Sequence, residues 1–230
     1  MSLEQKIEQA NNLLTQIERD YAPAVFASSL GAEDMVLTDL IAQHHPGIAI
    51  FTLDTGRLPE ATHKLLAEVT ARYNIEIKVY YPAAAALESL VAARGINGFY
   101  DSADNRKACC VARKVEPLAR ALVGKQAWIT GLRREQAVTR AGLELSSFDA
   151  ANGLQKFNPL LEWSNLDVWT YIRRYKTPYN ALHDEGYPSI GCAPCTRAIN
   201  PGEDVRAGRW WWESADSKEC GLHPRKLEVA

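Results

Sequence analysis

The chain has 230 residues, 47% apolar and 23% charged, with a formal net charge of −2: one ordinary globular domain over 1–230, not a disordered or repetitive chain, and not a general nucleic-acid binder. No apolar run approaches membrane-spanning length, and the opening "MSLEQKIEQANN" lacks the basic and apolar pattern of a signal peptide. The cytoplasm is therefore the expected compartment, where stable disulfides are uncommon.

Leu3, Ile7, Ala10, Leu14 and Ile17 recur at helical spacing, so the chain opens with an amphipathic helix. "PAVFAS" reads as a buried strand, followed by the turn "SSLGAED" and a helix from Glu33 to His45 with Val36, Leu37, Leu40 and Ile41 on its apolar stripe. "GIAIFTLDTG" is a second strand and turn, "PEATHKLLAEVTARY" a helix with Pro59 in its first turn, and "IEIKVYY" a third strand. A helix from Ala83 to Arg94, a loop "GINGFYDSADN" and a helix carrying Cys109 to Leu122 come next. "QAWITGL" is another buried strand, and "LELSSFD" and "LQKFNPL", split by "AANG", form a hairpin at the sheet edge. Ser164 and Asp167 make a capping box for the helix "LDVWTYIRRY", after which periodicity fades into a stretch rich in Gly, Pro, Cys and Trp. Strands alternating with helices imply an α/β fold: a twisted parallel sheet covered on both faces, with a loop-rich C-terminal segment.

Three turns at the C-terminal edge of such a sheet, "SSLGAED", "LDTG" and "TGLRREQ", lie where nucleotides bind in open α/β folds. The first is neither a Walker A loop nor a G-x-G-x-x-G fingerprint, and alone it reads equally well as an ordinary strand–helix turn. Positive charge gathers at Arg106, Lys107, Arg113 and Lys114, at Arg133, Arg134 and Arg140, and at Arg206 and Arg209. Each is by itself solvated surface, but three clusters beside cysteines or glycine turns suit a small anionic ligand.

Two of the five cysteines, Cys109 and Cys110, are adjacent, and Cys192 and Cys195 form a C-x-x-C pair. Four thiolates make a common structural zinc set. Zinc, however, needs all four sulfurs about 2.3 Å from one atom, and neighbours on a helix diverge by about 100°. A 4Fe–4S cubane offers four separate attachment points, which suits the pair better. Cys220 is left over in "SKECGLHP", between Glu219 and Gly221 with Lys218 and His223 nearby, an aperiodic and partly electropositive setting that favours a reactive thiolate.

With "SSLGAED", "LDTG", "CCVARKVEPL", "TGLRREQ", "GCAPCTR" and "ECGLH" together, the sequence resembles the assimilatory adenosine 5′-phosphosulfate (APS) reductases of the phosphoadenosine phosphosulfate (PAPS) reductase family, over nearly the whole chain. The resemblance implies an adenine-nucleotide α-hydrolase-like fold with a modified phosphate loop. It also implies a 4Fe–4S cluster on Cys109, Cys110, Cys192 and Cys195, and Cys220 as the nucleophile, on a mobile tail from about residue 214. Lys114, Arg206 and Arg209 are expected to neutralise the phosphosulfate. Ser28, Ser29, Leu53, Thr55, Gly56, Gly131, Arg133, Arg140 and His223 are expected to hold the substrate. Plant-type members of the family carry a fused thioredoxin-like domain, and with this sequence ending at Ala230 an external thioredoxin or glutaredoxin is the expected reductant; homo-oligomerisation is left open. PAPS reduction or dual use of APS and PAPS is the near alternative. An ATP-using RNA sulfur-transfer enzyme is disfavoured because "SSLGAED" departs from S-G-G-x-D-S, and a non-catalytic redox sensor would make Cys220 dispensable.

Overall fold

The computed structural model describes residues 1–136 and 142–214. Seven helices and six strands are described. Helix α1 (Leu3–Asp20) starts at a capping box in which Ser2 and Gln5 exchange hydrogen bonds, and buries Ala10, Leu14 and Ile17, the stripe read from its spacing. Strands β1 (Ala24–Ala27), β2 (Ala49–Leu53), β3 (Ile77–Tyr80) and β4 (Ala127–Ile129) alternate with α2 (Ala32–His44), α3 (Glu60–Tyr73), α4 (Ala84–Arg94), α5 (Ala103–Cys110) and α6 (Glu116–Leu122). The hairpin β5 (Ser146–Asp149) and β6 (Leu154–Phe157) precedes α7 (Asn165–Tyr175), whose capping box on Ser164 and Asp167 is formed.

The sheet order is β3-β2-β1-β4-β6-β5. All pairs are parallel except β5–β6, the expected edge hairpin. Alternation along each strand divides the core. Phe26 and Ile129 pack with α1, α2 and α7 on one face, whereas Val25 and Trp128 pack with Leu118 and Leu122 of α6 on the other. The buried Asp39 carboxylate accepts hydrogen bonds from Tyr73 and Tyr171, each at 2.6 Å, and so ties α2 to both α3 and α7.

The chain runs outward from β1 to β3 and then returns to β1's other side at β4. That reversal is a topological switch point, where the turns after β1 and β4 splay apart and leave a crevice. The fifth helix differs from expectation. It begins at Ala103, not near Cys109, because Ser102 caps it by accepting from the Asn105 N–H. Between α5 and α6, residues Val111–Val115 form a π turn, a wider coil that is common at functional sites. Cys109 and Cys110 end α5 immediately before it. Beyond Tyr175 the described chain forms loops with two short 3₁₀ turns, Ala181–Glu185 and Ala193–Cys195. No described helix is long and apolar enough to cross a membrane.

Candidate functional site

A cavity of about 510 Å³ opens at the switch point. Ser28, Ser29 and Gly31 from the turn after β1, and Gly131 and Arg133 from the turn after β4, form one side of its lining. Leu53, Trp128 and Leu118 supply apolar wall, and Lys114, Arg206 and Arg209 supply cations. Thus eight of the expected site residues line one space: Ser28, Ser29, Leu53, Lys114, Gly131, Arg133, Arg206 and Arg209. Thr55 and Gly56 are not in this lining; Thr55 contacts Cys192, and Gly56 lies beside Arg113.

Asp34, at the start of α2, holds the first turn in place. Its carboxylate accepts from both the Ser29 N–H and the Ser29 hydroxyl at 2.6 Å. A side chain at Gly131 would collide with the same carboxylate, so only glycine lets the two turns approach this closely. Arg133 is buried in the wall and directed at protein partners: Glu33 at 2.7 Å and the Trp163 carbonyl at 3.1 Å. It therefore serves the cavity as half of an ion pair. Burial alone would raise the Glu33 carboxyl, but the Arg133 guanidinium holds it below its ordinary range.

Burial pushes the Asp34 carboxyl up from 3.8 to about 6, against the opposing hydrogen bonds from Ser29. The folded chain then keeps a proton that the unfolded chain has released between these two values. This group's contribution to stability therefore falls as pH rises from about 4 to about 6. Asp34→Asn removes the ionisation, so the Tm of the variant minus that of the parent should increase across this window. Thermal unfolding at a series of pH values checks it; a flat difference would contradict the assignment.

The cysteines sit beside the cationic wall. The Cys192 loop is tied to β2's turn: the Thr55 hydroxyl lies 3.2 Å from Cys192 Sγ, and the Ala193 N–H donates to the Arg57 carbonyl at 2.8 Å. Arg113, from the π turn, donates to the Thr55 carbonyl at 2.6 Å. The C-x-x-C loop also pairs with the arginine segment, since Arg197 N–H donates to Gly208 O at 3.0 Å and Trp210 N–H to Cys195 O at 3.2 Å. All four described cysteines are free thiols, Cys192 buried and the others half-buried. Burial, and next the neighbouring Cys192, push the Cys195 thiol up to about 12, with Cys109 adding to the rise and Arg209 and Lys114 opposing it. Cys110 lies against Arg106, which also pairs with Glu213. Thiols from two distant stretches of chain therefore share one neighbourhood with the cavity's cations. Among the described residues no three His, Cys, Asp or Glu side chains are drawn together into a single-ion site.

Arg140, Cys220 and His223 lie outside the described residues. Sequence reading missed Asp34, Glu33 and His183. The two carboxylates were visible within "SSLGAED", as part of the turn signal. His183 lines the cavity with both ring nitrogens buried and without a hydrogen-bond partner among the described residues, and burial lowers its pKa. It sits in an aperiodic stretch where no pattern points to it.

A family model for the phosphoadenosine phosphosulfate reductase domain matches residues 23–198. Two similar relatives are both called adenosine 5′-phosphosulfate reductase. One, from Allochromatium vinosum, is 58% identical over 95% of this chain and 85% of its own length. The other, from Burkholderia cepacia, is 53% identical over 95% and 87%. The chain is also similar to the crystal structure of a Candida auris PAPS reductase in complex with phosphate, at 25% identity and a TM-score of 0.71, covering 86% of this chain and 96% of that one. Yeast FAD synthetase shares the fold, with a TM-score of 0.61 at 16% identity over 86% of this chain and 67% of that one.

Proposed function

Because the chain belongs to the phosphoadenosine phosphosulfate reductase family, we propose for its cavity and cysteines the route by which it reduces APS in sulfate assimilation. The observation that carries this reading is the union of an apolar wall, the turns after β1 and β4, and three cations in one cavity. Adenine packs against Leu53, Leu118 and Trp128. The turns that carry Ser28, Ser29 and Gly131 line the space for the ribose and phosphate. The phosphosulfate points at Lys114, Arg206 and Arg209. Arg140 and His223 are assigned to the same substrate, and Thr55 bonds Cys192 and Arg113 beside it.

The Cys220 thiolate attacks the sulfur of APS. An S–S bond forms, the S–O bond to phosphate breaks, and AMP departs with the electron pair. The approaching thiolate adds negative charge to an already anionic group, so fixed cations lower the barrier. A dithiol reductant, thioredoxin or glutaredoxin, then attacks the Cys220 sulfur. Sulfite leaves, and the reductant's second thiol closes its disulfide and frees Cys220, supplying two electrons in all. For that attack the segment beyond residue 214 must carry its adduct out of the cavity. We place the reaction in the cytoplasm, where such reductants are kept reduced.

Cys109, Cys110, Cys192 and Cys195 fit a 4Fe–4S cluster. Four soft sulfur donors, none of them in a disulfide, come from two stretches of chain, and two stand side by side. When bound, the cluster supplies a compact iron–sulfide centre whose charge acts on the adjacent cations.

Sulfite release from APS and from PAPS, each with reduced thioredoxin, tests the assignment. The expected result is a higher kcat/KM with APS. An equal or higher value with PAPS would overturn the substrate choice, and no sulfite from either would overturn the function. Lys114→Ala, Arg206→Ala and Arg209→Ala should each slow single-turnover AMP release by about 10²–10³-fold, the scale for losing a fixed charge beside a developing anion. Unchanged rates would remove these side chains from the reacting end.

A further inference from the structure

Trp210 stands between the reaction's cations and the end of α5. It is almost fully buried, at 1% exposure, yet its φ is +43°, in the left-handed region that a bulky side chain rarely adopts. Such a conformation persists only where the surroundings over-determine it. Here two guanidinium groups stack on its ring, that of Arg106 at 4.5 Å and that of Arg209 at 4.7 Å.

Arg106 is itself wholly buried, on α5 one turn before Cys110. Its Nε and Nη2 donate to the two carboxylate oxygens of Glu213, both at 2.8 Å, with side-chain exposures of 1% and 4%. A buried ion pair adds little net stability, because desolvation offsets its attraction; what it can supply is a defined geometry. The fork holds Glu213 to α5 and thereby clamps the 210–213 segment. Arg209 in turn lines the cavity and packs so closely on Gly191 that a Cβ there would come within 2.6 Å of its guanidinium carbon.

We infer that Arg106 and Glu213 are positioning residues, which hold Arg209 in the substrate cavity through the ring of Trp210. They touch no substrate. The inference rests on the reading of Arg209 as a cation that serves sulfonate transfer.

A double-mutant cycle on the intact enzyme tests it. Arg106→Lys keeps the charge but loses the fork and the flat stacking face. It should lower kcat for APS about tenfold, since a displacement of even an ångström is costly in an aligned site, while the AMP Kd stays within about threefold. Arg209→Ala alone should cost about a hundredfold. The pair together should also cost about a hundredfold, because the latch has nothing left to position; independent effects would multiply to about a thousandfold. Should Arg106→Lys fail to fold, Arg106→Met combined with Glu213→Leu removes both charges without stranding either, and carries the same cycle. Multiplying losses, a kcat within twofold of the parent, or a kcat that falls only in step with Tm and AMP affinity would each overturn the latch. If Arg209→Ala itself leaves kcat unchanged while APS is still reduced, the role of Arg209 falls and the latch with it. If the parent reduces no APS, the fault lies in the function.

Discussion

Cys220→Ser should reduce APS-dependent sulfite formation to background while leaving AMP affinity within about twofold of the parent. A serine hydroxyl is almost wholly protonated at neutral pH and is a far weaker nucleophile toward sulfur than a thiolate. The residues proposed to hold the nucleotide, by contrast, lie in parts of the fold distant in sequence: the turns carrying Ser28, Ser29 and Gly131, and the apolar wall of Leu53 and Trp128. The variant should therefore separate chemistry from binding, with kcat lost and Kd kept. Calorimetric titration with AMP and a sulfite assay on the same preparation check both halves. Loss of AMP binding alongside turnover would mean that Cys220 supports the cavity's structure.

Serine at Cys109, Cys110, Cys192 or Cys195 should cost the enzyme its iron and most of its activity. Protein prepared without oxygen should carry about four irons and four sulfides per chain, and each substitution should lower that content. The hydroxyl replaces a soft thiolate donor with a hard, poorly ionised one. The loss should extend to catalysis because the C-x-x-C loop is hydrogen-bonded to the segment that carries Arg206 and Arg209, through Arg197 to Gly208 and Trp210 to Cys195. Iron and sulfide analysis beside kcat measures it. Stoichiometric zinc with negligible iron in iron-replete, oxygen-free preparations would contradict the cluster.

The order of elements was legible because its signals are local. The α1 stripe, the Ser164 capping box and the "AANG" hairpin each depend on residues within a turn or two of one another. The start of α5 was not, since a cap at Ser102 competes with a stretch whose Gly, Asn and Asp read as loop. The π turn has no sequence signature at all. Within the site, the chemistry-bearing residues stood out as types: paired cysteines, clustered arginines, glycine turns. Their partnerships did not. Arg133 reads as an anion contact until Glu33 is found 2.7 Å away, 100 residues distant in the chain. Arg106 reads as one of a solvated run until the fold buries it against Glu213 and Trp210. Long-range charge pairing is a property of the tertiary arrangement, so no local pattern discloses it.

Intact-mass spectrometry of the enzyme mixed with APS in the absence of reductant tests the central claim most directly. One SO₃ group should be added per chain, located on Cys220 by peptide mapping, with one AMP released and the adduct cleared on adding reduced thioredoxin. A Cys220→Ser variant that still takes up the sulfonate and turns over would contradict it, and would place the nucleophile on another cysteine.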